Sequence, residues 1–348
     1  MSKELFRTGG PHNISKTGRD QYTLQIKLPT DSSGMYAREC TSDECAPGSF
    51  KVKGGTGISG EQAQAYCPYC CTQASPEDFA TREQIRYAKD VAMEEAQGGI
   101  ESMIKDAFGM GRTGKRKIGG GMLSIDMSLK MKPRPPVRRP LEEQIRRDVC
   151  CPKCTLEHAV YGLAVWCPDC GEDIFVSHVE SECQVLRTML SDVDRRSEEL
   201  GPRIAARDIE NGLEDAVSIF EASLKAMAQR RLLNDGVSVA ESNTIMTKKV
   251  RNRFQSYDGA VETLKQLFGF DLSAKLESQT VEQFKGTMEK RHPITHNLGI
   301  VDRKYLDKAL SGEAEGRDVS LDEQEVLNAL DTAFNLIKAT HSGLFPST

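Results

Sequence analysis

The sequence predicts a multidomain α+β protein in which two small β-rich modules precede an all-α helical bundle. Three observations carry that class. Eight of the eleven cysteines fall in close pairs. Around those pairs, short extended stretches alternate with Gly, Ser and Pro turns. Beyond the second group of cysteines, apolar residues recur at helical spacing. At 348 residues the chain is about twice a usual domain length, so two or three domains are expected. A formal charge of −5 and the lack of long apolar runs give no global sign of a nucleic-acid binder or a membrane protein. Any such partner must show as a local patch. Met1 to Lys16 has neither an apolar core nor an Arg-rich amphipathic pattern and reads as a polar tail, so a cytoplasmic location is expected.

Residues 1–108 read as the first cysteine module with a trailing helix. Tyr22 to Leu28 and Phe50 to Lys53 are extended. A helix is expected from Pro76 to about Phe108, capped by Ser75, with Ile85, Ala88, Ala92 and Ala96 on one side. Residues 109–149 form a basic Gly/Pro-rich segment. It comprises a glycine loop from Gly109 to Gly121, one strand from Met122 to Met131 and an extended linker from Pro133 to Pro140. The second module spans 150–178, with strand-like pieces at Ala164–Trp166 and Ile174–Val176. After a helical linker at 179–202, residues 203–348 are almost wholly helical. Ile209, Leu213, Ala216, Val217, Phe220, Leu224 and Met227 give one long amphipathic helix from about Arg203 to Leu232. Further helices are expected at about 238–268, 278–290, 293–298, 302–310 and 320–341, the last started by a Ser320/Glu323 capping box.

A chain of this length with paired cysteines and no export signal points to metal ligation rather than disulfides. Two Cys-x-x-Cys turns meeting across a loop place four thiolates at tetrahedral corners, as structural zinc requires. Cys151, Cys154, Cys167 and Cys170 are the stronger set: both pairs carry a proline after the first cysteine, and a glycine follows the last. Cys40, Cys45, Cys67 and Cys70 form the weaker one, because four residues separate its leading pair and Cys71 competes as a ligand. A redox pair or plain buried cysteines are the other accounts of each set. Two structural zinc ions per chain are expected, with no catalytic metal, since cysteine fills all four corners. These blocks resemble zinc ribbons, which implies a folding staple and a surface for nucleic acid or protein. His158 lies within the second loop and is expected to be solvent-exposed.

Gly109 to Lys115 fits the first seven positions of a phosphate-cradling loop, but Arg116 stands where Ser or Thr must reach magnesium. The preceding Ile100–Phe108 also reads as helix, not strand. A flexible basic loop is the better reading. From Arg112 to Arg139 there are nine basic residues and one acid, Asp126, a local cationic patch suited to a phosphate backbone.

The stretch from Lys290 to Tyr305 carries the chemistry. Pro293 belongs in a first helical turn, which would put Arg291 and His292 at a helix mouth that favours phosphate and His296 one turn inside. Arg291, His292 and His296 resemble the motif of the HEPN superfamily: an Arg, a polar residue, three further residues and a His. Asn297-Leu-Gly-Ile-Val-Asp302 with Tyr305 is similar to the continuation in many prokaryotic members. The spacing alone is weak, since Arg7 and His12 satisfy it too. The resemblance covers about residues 203–342 in helical layout. It implies a homodimer whose two motifs face one composite site, and metal-independent cleavage of RNA to 2′,3′-cyclic phosphate and 5′-hydroxyl ends.

In that mechanism His296 takes the 2′-OH proton or protonates the leaving 5′-oxygen. Arg291 stabilises phosphoryl charge, and His292 or Asn297 orients either group. A toxin or antiphage-defence effector, restrained by an inhibitory protein partner, is the setting the family suggests. The rival is a non-catalytic zinc-ribbon nucleic-acid-binding adaptor that dimerises through its helices. A transcription-related ribbon factor is disfavoured because it leaves the Arg-His motif unexplained.

Overall fold

The computed structural model describes residues 6, 8–19, 21–60, 62–110, 113–119, 125–130, 137, 147–309 and 312–346. Glycine turns punctuate the first part, and the chain folds into hairpins between them. β1 (Ser15–Gly18) pairs with β2 (Gln21–Thr23), with a bulge between Lys16 and Gly18. β3 (Met35–Glu39) and β4 (Ser49–Lys53) form a regular hairpin, and β5 (Ala65–Tyr66) with β6 (Gln73–Ala74) clasps the Cys67–Cys70 turn.

α1 (Arg82–Ala107) starts later than expected. Ser75 to Ala80 close on themselves as turns instead. Thr81 and Gln84 then form a reciprocal capping box, each side chain accepting the other's backbone N–H at 3.1 Å, which satisfies two helix-end donors that Ser75 would leave open. Gln84 is buried and also donates to Ala37 O at 2.9 Å, tying the helix to β3.

β7 (Lys115–Ile118) pairs with β8 (Ile125–Ser128). A strand thus occupies part of the expected glycine loop, and within the expected Met122–Met131 strand the described residues form β8 at Ile125–Ser128, while 122–124 and 131 lie outside the described residues. Most of the rest of the Arg112–Arg139 run, and the proline linker except Val137, lie outside the described residues. β9 (Arg147–Cys150) and β10 (Glu157–Val160) complete one antiparallel sheet of order β3-β4-β10-β9. The β4–β10 pairing, Phe50↔Val160 through Val52↔His158, joins the two cysteine modules. They share one core of Phe50, Phe79, Val149, Leu156, Val160, Ala164 and Ile174 with Cys67, Cys151 and Cys167. Of the extended pieces expected near 164–176, only a Trp166↔Asp173 bridge forms, and Phe175 already belongs to a helix.

The helical part runs α2 (Phe175–Leu190), α3 (Val193–Leu200), α4 (Pro202–Asn234), α5 (Val239–Ile245), α6 (Tyr257–Phe268), α7 (Ser278–Asn297), α8 (Arg303–Ala309) and α9 (Glu323–Leu344). The long amphipathic α4 is the central element. Its Leu213, Val217, Phe220, Leu224 and Met227 are buried in a single core with residues of α2, α7 and α9. Each such apolar side chain contributes about 1.5–3 kcal/mol. Gly212 lets α2 approach α4: a Cβ there would meet Leu190 at 2.9 Å.

Three helical expectations need correction. The segment 238–268 is broken by a π turn at Met246–Val250 and a 3-10 turn at Arg253–Gln255, which bury Val250 and Phe254. α9 is capped by Asp322, which accepts from Glu325 N at 2.8 Å; the backbone N–H of Ser320 instead donates to Glu313. Finally, 278–290 and 293–298 are one helix with Pro293 buried inside it. The helix continues past a proline because tertiary packing of Phe284, Met288 and Ile294 on the bundle outweighs one lost backbone hydrogen bond. No helix among the described residues is long and apolar enough to cross a membrane.

Candidate metal centres and candidate active site

Both four-cysteine sets converge. The sulfurs of Cys40, Cys45, Cys67 and Cys70 lie within 4.8 Å of one another, as do those of Cys151, Cys154, Cys167 and Cys170. The close pairs are Cys40–Cys70 at 3.6 Å, Cys45–Cys67 at 3.7 Å, Cys151–Cys170 at 3.7 Å and Cys154–Cys167 at 3.4 Å. A tetrahedron of thiolates about 2.3 Å from a central zinc has edges of about 3.8 Å. Both sets therefore fit a four-coordinate ion and are too open for disulfides.

The loops explain the convergence. In each of the three Cys-Pro-x-Cys turns the next residue is left-handed, Cys71 at φ 61°, Thr155 at φ 63° and Gly171 at φ 65°. Its N–H returns to the first cysteine's carbonyl, Cys71 N to Cys67 O at 3.1 Å, Thr155 N to Cys151 O at 3.0 Å and Gly171 N to Cys167 O at 3.0 Å. Cys71 occupies this turn position and stands outside the four-sulfur group, so it is no substitute ligand. Hydrogen bonding from Cys45 holds the Cys70 thiol down and pushes that of Cys67 up. Burial raises Cys167, and raises Cys154 to about 12. Four adjacent thiolates repel, and a bound cation is what lets all of them ionise.

His158 is the clearest reversal in this region. It is fully buried on β10, strand-paired on both sides, not exposed on a loop. Burial pushes its pKa down to about 4, so it is held neutral. His178 on α2, also fully buried, accepts from Ala164 N at 2.9 Å through Nδ1.

The Arg-His stretch sits at the C-terminal end of α7, not at a helix mouth. The dipole there repels phosphate, which removes the anion-binding argument built on Pro293. Leu298 at φ 52° and Gly299 at φ 84° end the helix. His292 and His296 lie on one face, ring centroids 5.1 Å apart, with Asp302 at 3.7 Å from His292 Nε2. Partial burial first, and Lys304 second, hold His292 below the ordinary imidazole range. His296 is exposed. Arg291 lies about 140° around the helix axis from it and donates from Nη1 to Gln255 Oε1 at 3.2 Å. Gln255 donates in turn to Glu221 at 3.0 Å. Asn297 donates to Ile300 O at 2.8 Å, fixing the turn that follows. One chain thus brings His292 and His296 together but turns Arg291 aside.

A second polar cluster had no motif to announce it. Arg230 of α4 lies between the rings of Trp166 (4.4 Å) and Phe345 (4.0 Å), and its Nη1 is 2.6 Å from Asp173 Oδ2. His341 of α9 is 3.2 Å from the same carboxylate oxygen and stacks on Phe175. Although burial raises it, Asp173 is held below the usual carboxylate range by His341 and Arg230. The one available sequence signal was the lone tryptophan beside a zinc-type knuckle.

No protein-family model, curated protein or solved structure matches the chain.

Proposed function

We propose that this protein is a zinc-stapled, dimeric endoribonuclease of the HEPN type that cuts RNA without a catalytic metal. The carrying observation is the His292–His296 pair on one face at the C-terminal end of α7, next to Arg291 in sequence and beside a Leu298 that is 83% exposed. A large apolar side chain left in solvent next to titratable groups is the mark of a contact surface. A second copy docked over Leu298 would bring another Arg291 and His296 to the same cleft, supplying the convergence that one chain lacks. His296 then exchanges a proton with the ribose 2′-OH or the leaving 5′-oxygen. Arg291 neutralises the phosphoryl oxygens. His292 orients the substrate, and Asn297 holds the turn behind the site. Zinc is the ion proposed for both cysteine sites, because four thiolates at this spacing suit its tetrahedral preference. Under this reading the ribbon half engages RNA or a partner protein, in the manner of a defence or toxin effector.

One observation favours the rival, a non-catalytic adaptor. The Arg291–Gln255–Glu221 chain gives the arginine a structural role within the bundle. Product chemistry separates the two. RNA incubated with the full chain is expected to yield 2′,3′-cyclic phosphate and 5′-hydroxyl ends, while DNA of the same sequence survives. A dimeric protein that binds RNA and leaves it intact would be the adaptor.

A further inference from the structure

We infer that the two four-cysteine sites are halves of one pseudo-symmetric unit that takes up its two metal ions cooperatively. The inference rests on the metal reading of both sites and goes beyond it, since ribbons far apart in a sequence load independently unless something couples them.

The coupling is visible at three levels. At the knuckles, the backbones exchange hydrogen bonds reciprocally. Tyr66 N donates to Pro168 O at 2.8 Å, while Trp166 N and Val165 N donate to Pro68 O at 3.1 and 2.8 Å. Each donor segment directly precedes its own knuckle, and each acceptor lies inside the other. At the loops, Asp169 in the second knuckle accepts from Ile58 N at 3.0 Å, and its carbonyl accepts from Gln62 at 2.7 Å, clamping the segment that leads to Cys67. Tyr69 in the first knuckle donates to Ser49 O at 2.8 Å and accepts from Tyr161 N at 2.9 Å, so one hydroxyl bridges the two hairpins. At the sheet, β4 pairs with β10 about an axis that exchanges the hairpins, and Cys67, Cys151 and Cys167 lie in the same small core.

Neither half has the means to order alone. Each owns two short strands of the shared sheet, and an isolated two-stranded hairpin is marginal in water. Metal binding to such a module is largely folding. The first ion must order the shared sheet and core as well as its own loops. The second finds them formed and binds more tightly, and by linkage the effect is the same in either order.

The test uses the full chain, stripped with a chelator and titrated with Co²⁺, whose thiolate absorption reports each site, then with Zn²⁺ against a chromophoric competitor. Two ions are expected to enter along a sigmoidal curve. Cys40→Ser is expected to weaken binding at the intact Cys151 site at least tenfold, and Cys154→Ser to weaken the Cys40 site by a similar factor. Tyr69→Phe touches no thiol; it is expected to keep two ions per chain and lower the cooperativity severalfold. It decides the matter if the cysteine variants lose their helical circular dichroism and fail to fold. Two ions entering independently, with a surviving site unchanged within twofold in Cys40→Ser or an unaltered curve in Tyr69→Phe, overturn the coupling alone. A chain that takes up no metal overturns the metal reading with it.

Discussion

Single side chains hold this molecule together at places that carry no motif. Arg230 is the strongest case: it is clamped by two rings and paired with a half-buried carboxylate, at the contact between the sheet-bearing half and the bundle. Removing it leaves Asp173 with only His341 and the Phe175 N–H as partners, and losing such a charge-assisted hydrogen bond costs about 2 kcal/mol. Arg230→Ala is therefore expected to lower the unfolding midpoint and shift the emission of Trp166, the only tryptophan. An unchanged midpoint would mean that the contact contributes nothing. His158 makes a pH prediction. Its folded pKa of about 4 lies below the ordinary 6.5, so its contribution is fully present above 6.5 and lost as pH falls through 4. Wild type should lose more stability between pH 7 and pH 5 than His158→Gln, measured by urea midpoints; identical losses would exclude this residue as a source. At this scale the two groups of four converging cysteines were legible because spacing and chemistry coincide in sequence. The surroundings of His158 were not, because a strand in a loop-like stretch becomes buried only when β4, from elsewhere in the chain, pairs with it.

Elements were legible where periodicity is long and poorly legible where local signals compete. The seven apolar residues marking α4 needed nothing from outside the helix. The caps of α1 and α9 were misplaced, by six and two residues, because Ser75 and Ser320 compete with Thr81 and Asp322, and only the backbone shows which accepts an N–H. α7 is the instructive error. A proline rule that is sound for an isolated helix failed where Pro293 is buried against the bundle, and it carried the supposed phosphate site with it. An interior proline costs a helix about 3 kcal/mol, so Pro293→Ala should raise the thermal midpoint unless the packing of the ring compensates. A lower midpoint would show that the ring's packing is worth more than the missing hydrogen bond. Asp322→Ala should cost about 1 kcal/mol by removing the α9 cap, read from the urea midpoint; no loss would show that the Glu325 N–H is satisfied otherwise.

The whole molecule is tied together by pairings between distant parts of the chain. The hairpin before the basic segment and the hairpin after it complete one sheet, and Arg230 fastens that sheet region to α4 and α9. That long-range pairing left no trace in composition or period, which is why the modules read as separate units. The surface beside the Arg-His face suggests that the functional unit is larger still. Under the proposed function, Leu298→Asp is expected to shift sedimentation from dimer to monomer and to abolish RNA cleavage together; a dimer that persists in the variant would move the proposed interface elsewhere. The proposal as a whole depends on whether this face performs chemistry. Its most direct test is the cleavage of mixed RNAs, in a mild chelating buffer that leaves the cysteine sites intact, by the wild-type chain beside an Arg291→Ala/His296→Ala double variant. Cleavage by the wild type and a loss of at least a hundredfold in the variant, with oligomeric state and metal content unchanged, is the expected result. Equal cleavage by both, or none by either, would contradict it.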